Sequence, residues 1–157
     1  MLLLAFTIAG CTPKAVRQAR LLEGQYVVGN PGEGWKKVAA GGADFAFRNR
    51  SDAAVIYADS NCGARFEDAP LEDLATHMTF GVSTGEPSFE ETYELDGRTA
   101  YTSRALGELD GVPVELGTTV LKKDRCTYDI VVIAPRGERF QSAWEGYQAV
   151  LAGFATR

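Results

Sequence analysis

The feature that most constrains the fold is a series of strand-like segments separated by tight turns in the second half of the chain. The tetrapeptide ELDG occurs twice, at Glu94–Gly97 and Glu108–Gly111. Asp-Gly between runs of strand-forming residues is a strong hairpin signal, because glycine readily adopts the positive φ that such turns need. Asp124 marks a third turn. Residues 87–134 are therefore predicted to form a four-stranded antiparallel meander.

The meander is preceded by shorter strands and flanked in the sequence by two helices. Residues 25–60 contain several strand-like segments, and the last of them, AAVIYADS, is apolar on both alternating faces, as in an interior strand. The segment from Pro70 to Gly81 has the usual helix start and stop signals. The C-terminal segment has apolar residues at spacings of three and four: Phe140, Ala143, Trp144, Tyr147, Val150, Leu151 and Phe154. The fold class predicted is α+β, with an antiparallel sheet covered by two main helices.

The N-terminus has a different character from the rest of the chain. Its first ten residues, MLLLAFTIAG, carry no charge and precede a cysteine. This run is too short to cross a bilayer, which needs about 20 apolar residues, but it matches the apolar region of a secretory signal. The sequence IAGC resembles the lipobox of bacterial lipoproteins, which implies cleavage after Gly10 and lipidation of Cys11. No Lys or Arg precedes the run, unlike a typical signal, so an ordinary N-terminal segment of a folded core is the alternative.

The lipobox resemblance divides the chain into three parts. Residues 1–10 would be a lipoprotein signal peptide, residues 11–24 the lipidated cysteine and a polar tether, and residues 25–157 a single α+β domain. Each buried CH₂ of an acyl chain contributes about 0.8 kcal/mol, so several chains on Cys11 would hold the domain at a membrane. Thr12 follows the cysteine where Asp would imply retention in the inner membrane of a Gram-negative cell. The resemblance thus implies an outer-membrane lipoprotein facing the periplasm.

Composition limits the classes of partner. The chain has 157 residues and a formal net charge of −5, and it contains no basic run. Since phosphate recognition along a polynucleotide needs clustered Lys and Arg, nucleic acid is not an expected partner. The expected partners are the membrane, through lipid on Cys11, and another envelope protein.

The remaining cysteines support export. Besides Cys11, the chain has Cys62 and Cys126. An exported domain with one lipidated cysteine and two others is a setting in which a disulfide forms and persists. The alternative is two separate buried thiols, which behave as small apolar residues. We predict a Cys62–Cys126 disulfide.

The sequence offers no recognisable catalytic, metal or cofactor site. The serine hydrolase, zinc protease and phosphate-loop motifs are absent, and neither ELDG copy has the ligand pattern of a calcium loop. His77 is the only histidine, which excludes a histidine-pair metal site, and a structural or solvated role is expected for it. The pairs Glu72–Asp73 and Glu90–Glu91 are adjacent, so their side chains point apart. Phe66 and Phe80 form either a contact patch or part of a core.

Most of the mature chain resembles a known group of proteins. The motifs ADFAF, PLEDLATHM, LDGRTA, LDGVPVEL and CTYDIVVIAP, together with the terminal aromatic helix, are similar to small, uncharacterised bacterial lipoproteins with a PsbP-like α/β/α sandwich. The resemblance implies an accessory or assembly role rather than an enzyme, and it supplies no catalytic residue. Fold does not by itself establish function.

Three functions therefore stay open. The first is a non-enzymatic envelope lipoprotein that binds or supports another protein. The second is a lipoprotein that binds a small molecule or lipid, which an apolar cavity between sheet and helix would favour. The third is a hydrolase built from Asp and Glu residues, which two converging carboxylates with a perturbed pKa would favour.

Overall fold

The computed structural model describes residues 25–63, 68–82 and 84–157. Its elements in chain order are β1 (Tyr26–Val27), β2 (Trp35–Lys37), β3 (Phe45–Asn49), β4 (Ala54–Cys62), α1 (Leu71–Thr79), β5 (Phe89–Leu95), β6 (Arg98–Leu109), β7 (Val112–Lys123), β8 (Cys126–Pro135), α2 (Glu138–Ala152) and β9 (Ala155–Thr156). The predicted arrangement of strands, helix, meander and helix is confirmed. The two-residue strand β9 was not predicted from the sequence.

The main sheet has seven antiparallel strands in the order β2-β3-β4-β8-β7-β6-β5. The strands β5 to β8 of the meander are neighbours in chain order. Strand β4 precedes α1 in the chain and pairs with β8, the last strand of the meander. Strands β4 and β8 are interior, as their apolar sequences predict. Strands β1 and β9 form a separate antiparallel ribbon, which holds the first described residues against the end of the chain.

The turns of the meander lie where the turn chemistry places them. Asp96 and Gly97 have φ values of 50° and 73°, and Asp110 and Gly111 have 50° and 78°. Two consecutive residues with positive φ are the signature of a type I′ turn, whose twist matches that of the flanking strands. The third turn uses Asp124 and Arg125 in the same way, although it lacks a glycine.

The two helices cover opposite faces of the sheet. Helix α1 packs through Ala75 on Tyr101 and Val120, and we call this side of the sheet the α1 face. Residues next to these in the chain, such as Ala100 and Leu121, point to the opposite side of the sheet. Helix α2 covers that side, which we call the α2 face. The main core lies under α2 and includes Tyr26, Ile56, Leu121, Ile130, Phe140, Tyr147 and Val150. The fold is an α/β/α sandwich.

The predicted stripe of α2 is confirmed. On α1 the spacing of Leu71, Leu74, Ala75 and Met78 also predicts one buried stripe, which is covered less completely. Six of the seven predicted α2-segment residues are buried, and Trp144 is half-buried. On α1, Ala75 is buried, whereas Leu71, Leu74 and Met78 are only half-buried. A helix of nine residues, packed on β6 and β7, covers less of the sheet than the fifteen residues of α2.

The predicted disulfide is present in the structure. Cys62 ends β4 and Cys126 begins β8, and the register places the two residues directly opposite each other. Their Cα atoms are 4.0 Å apart, which is closer than the usual 4.4–6.8 Å of disulfides. The bond joins the two interior strands at one end of the sheet.

The predictions for residues 1–24 concern a part of the chain outside the described residues. These are the signal peptide, the lipidation of Cys11 and the tether. Phe66 also lies outside them. Within the described residues, neither helix is both long enough and apolar enough to traverse a bilayer.

Candidate functional site

A groove runs between the edge strand β5 and helix α2 on the α2 face. Its volume is about 330 Å³. Strands β5 and β6 line one side with Glu91, Tyr93, Leu95 and Thr102, and the helix lines the other with Trp144, Gln148, Leu151 and Ala152. We call this feature the edge groove. It is the cavity between sheet and helix that the sequence left as a possibility.

Trp144 forms one wall of the edge groove because the sheet residue beneath it, Gly117, has no side chain. A Cβ atom placed on Gly117 would lie 2.3 Å from the Trp144 ring. The absence of that atom lets the indole lie directly on β7. Phe140 stacks on the indole with a centroid distance of 5.8 Å, and Tyr147 lies 5.0 Å away.

A cation also holds the aromatic wall in place. The Arg104 guanidinium lies 4.8 Å from the centre of the Phe140 ring and 5.0 Å from that of Trp144. The same guanidinium donates to Glu115 Oε1 at 2.6 Å. Both Arg104 and Glu115 are largely buried, so the pair is shielded from solvent and holds the cation under the rings.

Hydroxyl groups connect the floor of the edge groove to the core. The Tyr147 hydroxyl lies 2.5 Å from Thr119 Oγ1 and 3.0 Å from the Ile130 carbonyl oxygen. Thr119 and Thr102 share a hydrogen bond of 2.6 Å, and Thr102 Oγ1 donates to the Tyr93 hydroxyl at 3.3 Å. Burial raises the pKa of Tyr147 well above its ordinary value, so it stays a neutral phenol. This ladder orients Tyr93 at the groove.

The backbone of β5 is available beside the edge groove. Among the described strands, β5 pairs only with β6, so its outer edge carries unpaired N–H and C=O groups over seven residues. Glu90, Glu91 and Glu94 are exposed along this strand. The site therefore combines an unpaired strand edge, an aromatic and aliphatic wall, and the carboxylate of Glu91, while Glu90 and Glu94 point to the α1 face.

A second notable arrangement lies on the α1 face, away from the edge groove. Asp59 on β4 and Asp129 on β8 are directly opposite each other. Asp129 is buried, and burial, followed by the charge of Asp59, raises its pKa to about 7. Sequence reasoning missed this pair because the two acids are far apart in the chain and lie in apolar strands.

The other residues that the sequence marked as candidates are dispersed over the molecule. His77, Glu72 and Asp73 are exposed on α1, and Glu90 accepts a hydrogen bond from the Tyr101 hydroxyl. Phe80 is 86% exposed, so it is not a core residue. Within residues 25–63, 68–82 and 84–157, no three His, Cys, Asp or Glu side chains are grouped as metal ligands.

Comparison with known proteins gives similarity in structure alone. No protein-family model matches the chain, and no curated protein matches it in sequence. The solution structure of cyanobacterial PsbP (CyanoP) from Synechocystis is 13% identical, with a TM-score of 0.56 over 80% of this chain and 83% of that chain. The crystal structure of LpqN, involved in cell envelope biogenesis of Mycobacterium tuberculosis, is 9% identical, with a TM-score of 0.59 over 84% and 83%.

These similarities agree with the architecture derived above. Both proteins match the seven-stranded sheet and the helices over more than three quarters of the chain. At such low identity the match concerns the backbone arrangement and not the chemistry of a site. The α/β/α sandwich of this chain is a PsbP-like fold.

Proposed function

We propose that this protein is a non-enzymatic accessory lipoprotein of the bacterial envelope that binds an extended segment of another envelope protein. The observation that carries the proposal is the edge groove next to the unpaired strand β5. The fold match to LpqN, which is involved in cell envelope biogenesis, supports an envelope role.

The geometry of the edge groove suits an extended peptide. A peptide strand added to β5 would satisfy the outer N–H and C=O groups, and its alternate side chains would point into the edge groove. Tyr93, Leu95 and Trp144 would receive apolar side chains. Because Glu90, Glu91 and Glu94 surround the strand, the matching segment carries Lys or Arg between its apolar residues. Charged residues also keep an exposed edge strand from pairing with the same strand of another copy of the protein. The glutamates can therefore both prevent self-association and attract a basic segment.

Site-specific photocrosslinking in living cells tests the groove. We expect a benzoylphenylalanine at Gln148, on the rim of the edge groove, to give a discrete protein adduct. Adding Ala152→Trp to the same protein should remove that adduct, since the indole would fill the edge groove from an exposed position. The readout is the adduct band and its identification by mass spectrometry.

The matched control is Glu145→Trp, at an exposed position of the same helix outside the residues that line the edge groove. It should leave the adduct unchanged. The proposal is wrong if no protein adduct forms at position 148, or if Ala152→Trp and Glu145→Trp behave alike.

A small-molecule or lipid ligand is the second candidate, favoured by the apolar lining of the same groove. Its volume of about 330 Å³ lies at the lower end of ordinary ligand pockets, about 300–1,000 Å³. A lipid or metabolite adduct in place of a protein adduct at position 148 would identify this function. The hydrolase alternative would use the Asp59–Asp129 pair, which lies on the other face of the sheet from the edge groove.

The lipid anchor has its own test. We expect Cys11→Ser to move the protein from the membrane fraction to the aqueous fraction, because the acyl chains supply the membrane affinity. Fractionation with immunoblotting measures the distribution, and metabolic labelling with a palmitate analogue measures acylation. A Thr12→Ser variant, which keeps Cys11, is the control and should stay membrane-bound. Equal membrane association of Cys11→Ser and the parent protein, with Met1 retained in both, would contradict the anchor.

A further inference from the structure

A second surface, formed by the β2–β3 hairpin, carries a cluster of cations. Lys36, Arg48 and Arg50 line a shallow depression of about 350 Å³ together with Gly34, Val38 and Ser51. We call it the basic hollow. All three cations are exposed. They are dispersed in the sequence, so no basic run indicates the cluster, and the pairing of β2 with β3 brings them together.

The arrangement of these cations is unfavourable for the isolated domain. Lys36 and Arg48 are directly opposite in the β2–β3 register and therefore on the same face of the sheet. Like charges at such positions destabilise a strand pair. Neither of the ion pairs Arg104–Glu115 and Lys123–Asp96 involves the three cations of the hollow, so in the part of the chain that the structure describes none of the three is paired with a carboxylate. This occurs in a chain whose net charge is −5.

Edge protection explains only part of the cluster. A lysine on an edge strand prevents pairing with other chains, and Lys36 is on the edge strand β2. Arg48, however, is on β3, which is paired on both sides, and Arg50 follows that strand. Neither arginine protects a free edge. Lys37 is not part of the hollow, because its side chain lies over the Phe45 ring at 4.9 Å on the other face.

We propose that the basic hollow binds the phosphate groups of anionic lipids and so seats this face of the domain on the membrane. This inference rests on the membrane location in the proposed function. Arg and Lys are the side chains that bind phosphate oxygens, Arg with a planar fork and Lys with a point charge. Val38, which is 38% exposed and lines the same hollow, adds an apolar contact suited to the headgroup region. The negative charge of the rest of the protein orients this face toward the anionic surface.

Vesicle binding by the unlipidated protein tests the proposal. The full chain carrying Cys11→Ser is mixed with vesicles of equal parts phosphatidylglycerol and phosphatidylcholine, and with vesicles of phosphatidylcholine alone, at about 0.15 M salt. Sedimentation measures the bound fraction. Each cation near an anionic surface contributes about fivefold in affinity, so Lys36→Gln, Arg48→Gln and Arg50→Gln together should weaken binding to the anionic vesicles on the order of 100-fold.

A matched triple variant controls for the loss of three charges. Arg98→Gln, Arg139→Gln and Arg157→Gln remove three exposed cations outside the basic hollow and should weaken binding only slightly. Both triple variants should unfold at or above the temperature of the parent, which shows that binding is lost without loss of the fold. Equal binding by the two triple variants, or no preference for anionic vesicles, would overturn the proposal.

A free phosphate is the other source of the same chemistry. Inorganic phosphate at millimolar concentration should cause no saturable change in the NMR signals of Lys36, Arg48 and Arg50. Saturable changes that also abolish vesicle binding would identify a soluble anion as the ligand and would overturn the membrane assignment. Because the protein lacks the acylated cysteine, these results do not depend on whether Cys11 is lipidated.

Discussion

Replacing both Cys62 and Cys126 by alanine should lower the free energy of unfolding by about 4 kcal/mol. The two residues are 64 positions apart, and a bond between them restricts the unfolded chain strongly. In the chain-entropy model the stabilisation grows with the logarithm of the enclosed length, and real bridges often deliver less. The bridge also joins the interior strands β4 and β8, whose pairing connects the β2–β3–β4 part of the sheet to the meander.

Urea denaturation of the Cys11→Ser protein measures the effect, since that background leaves Cys62 and Cys126 as the only cysteines. The oxidised protein should unfold at higher urea than the double alanine variant. The reduced protein should resemble the variant. Thiol titration of the unreduced, unfolded protein should find no free thiol. Two free thiols, or a urea midpoint that reduction leaves unchanged, would contradict the prediction.

Raising the pH from about 4 to about 8 should destabilise the protein through Asp129. Burial, with the nearby charge of Asp59, raises its pKa to about 7 in the folded protein, whereas an unfolded Asp titrates near 3.9. Between these values the folded state binds the proton and the unfolded state does not. The contribution to stability is therefore complete below the unfolded pKa and is lost as the pH rises through the folded pKa, by up to about 4 kcal/mol.

The substitution Asp129→Asn separates this effect from other titrations. The neutral amide imitates the protonated acid, so the variant should match the parent near pH 4 and exceed it at pH 8. Urea unfolding of both proteins at several pH values gives the difference in free energy. Asp110→Asn, at an exposed turn residue, is the control and should show no such pH-dependent difference. A variant less stable than the parent at pH 8 would show that the ionised carboxylate is stabilised by its surroundings.

Only part of the edge groove could be predicted from the sequence. The spacing of the aromatic and aliphatic residues on α2 predicts correctly that Trp144 and Leu151 face the sheet. It does not predict that the sheet ends at β5 beside them, so from the sequence the same residues appear only as core. The edge position of β5 follows from the strand order, which depends on pairings between distant segments. Its three glutamates were the available signal, because an interior strand rarely carries so many charges.

What the sequence by itself determined are the features governed by local physics. Asp96-Gly97 and Asp110-Gly111 impose positive φ, and they set the turns and the register of the meander. The period of the apolar residues on α2 places that helix on a sheet. The number of cysteines, with the lipobox-like start of the chain, points to one disulfide. The turns and the helix stripe depend only on residues a few positions apart, and the disulfide prediction depends on the number of cysteines.

Only the tertiary structure decided which distant segments meet. The pairing of β4 with β8 places Cys62 opposite Cys126 and also Asp59 opposite Asp129. The pairing of β2 with β3 assembles the basic hollow, and the end of the sheet at β5 creates the edge groove. Antiparallel strands of similar apolar pattern can pair in several orders, so local preferences leave the order open. The strand order is selected by the burial of one common core between the sheet and α2. The free energy of that burial depends on the whole arrangement of strands and not on any single segment.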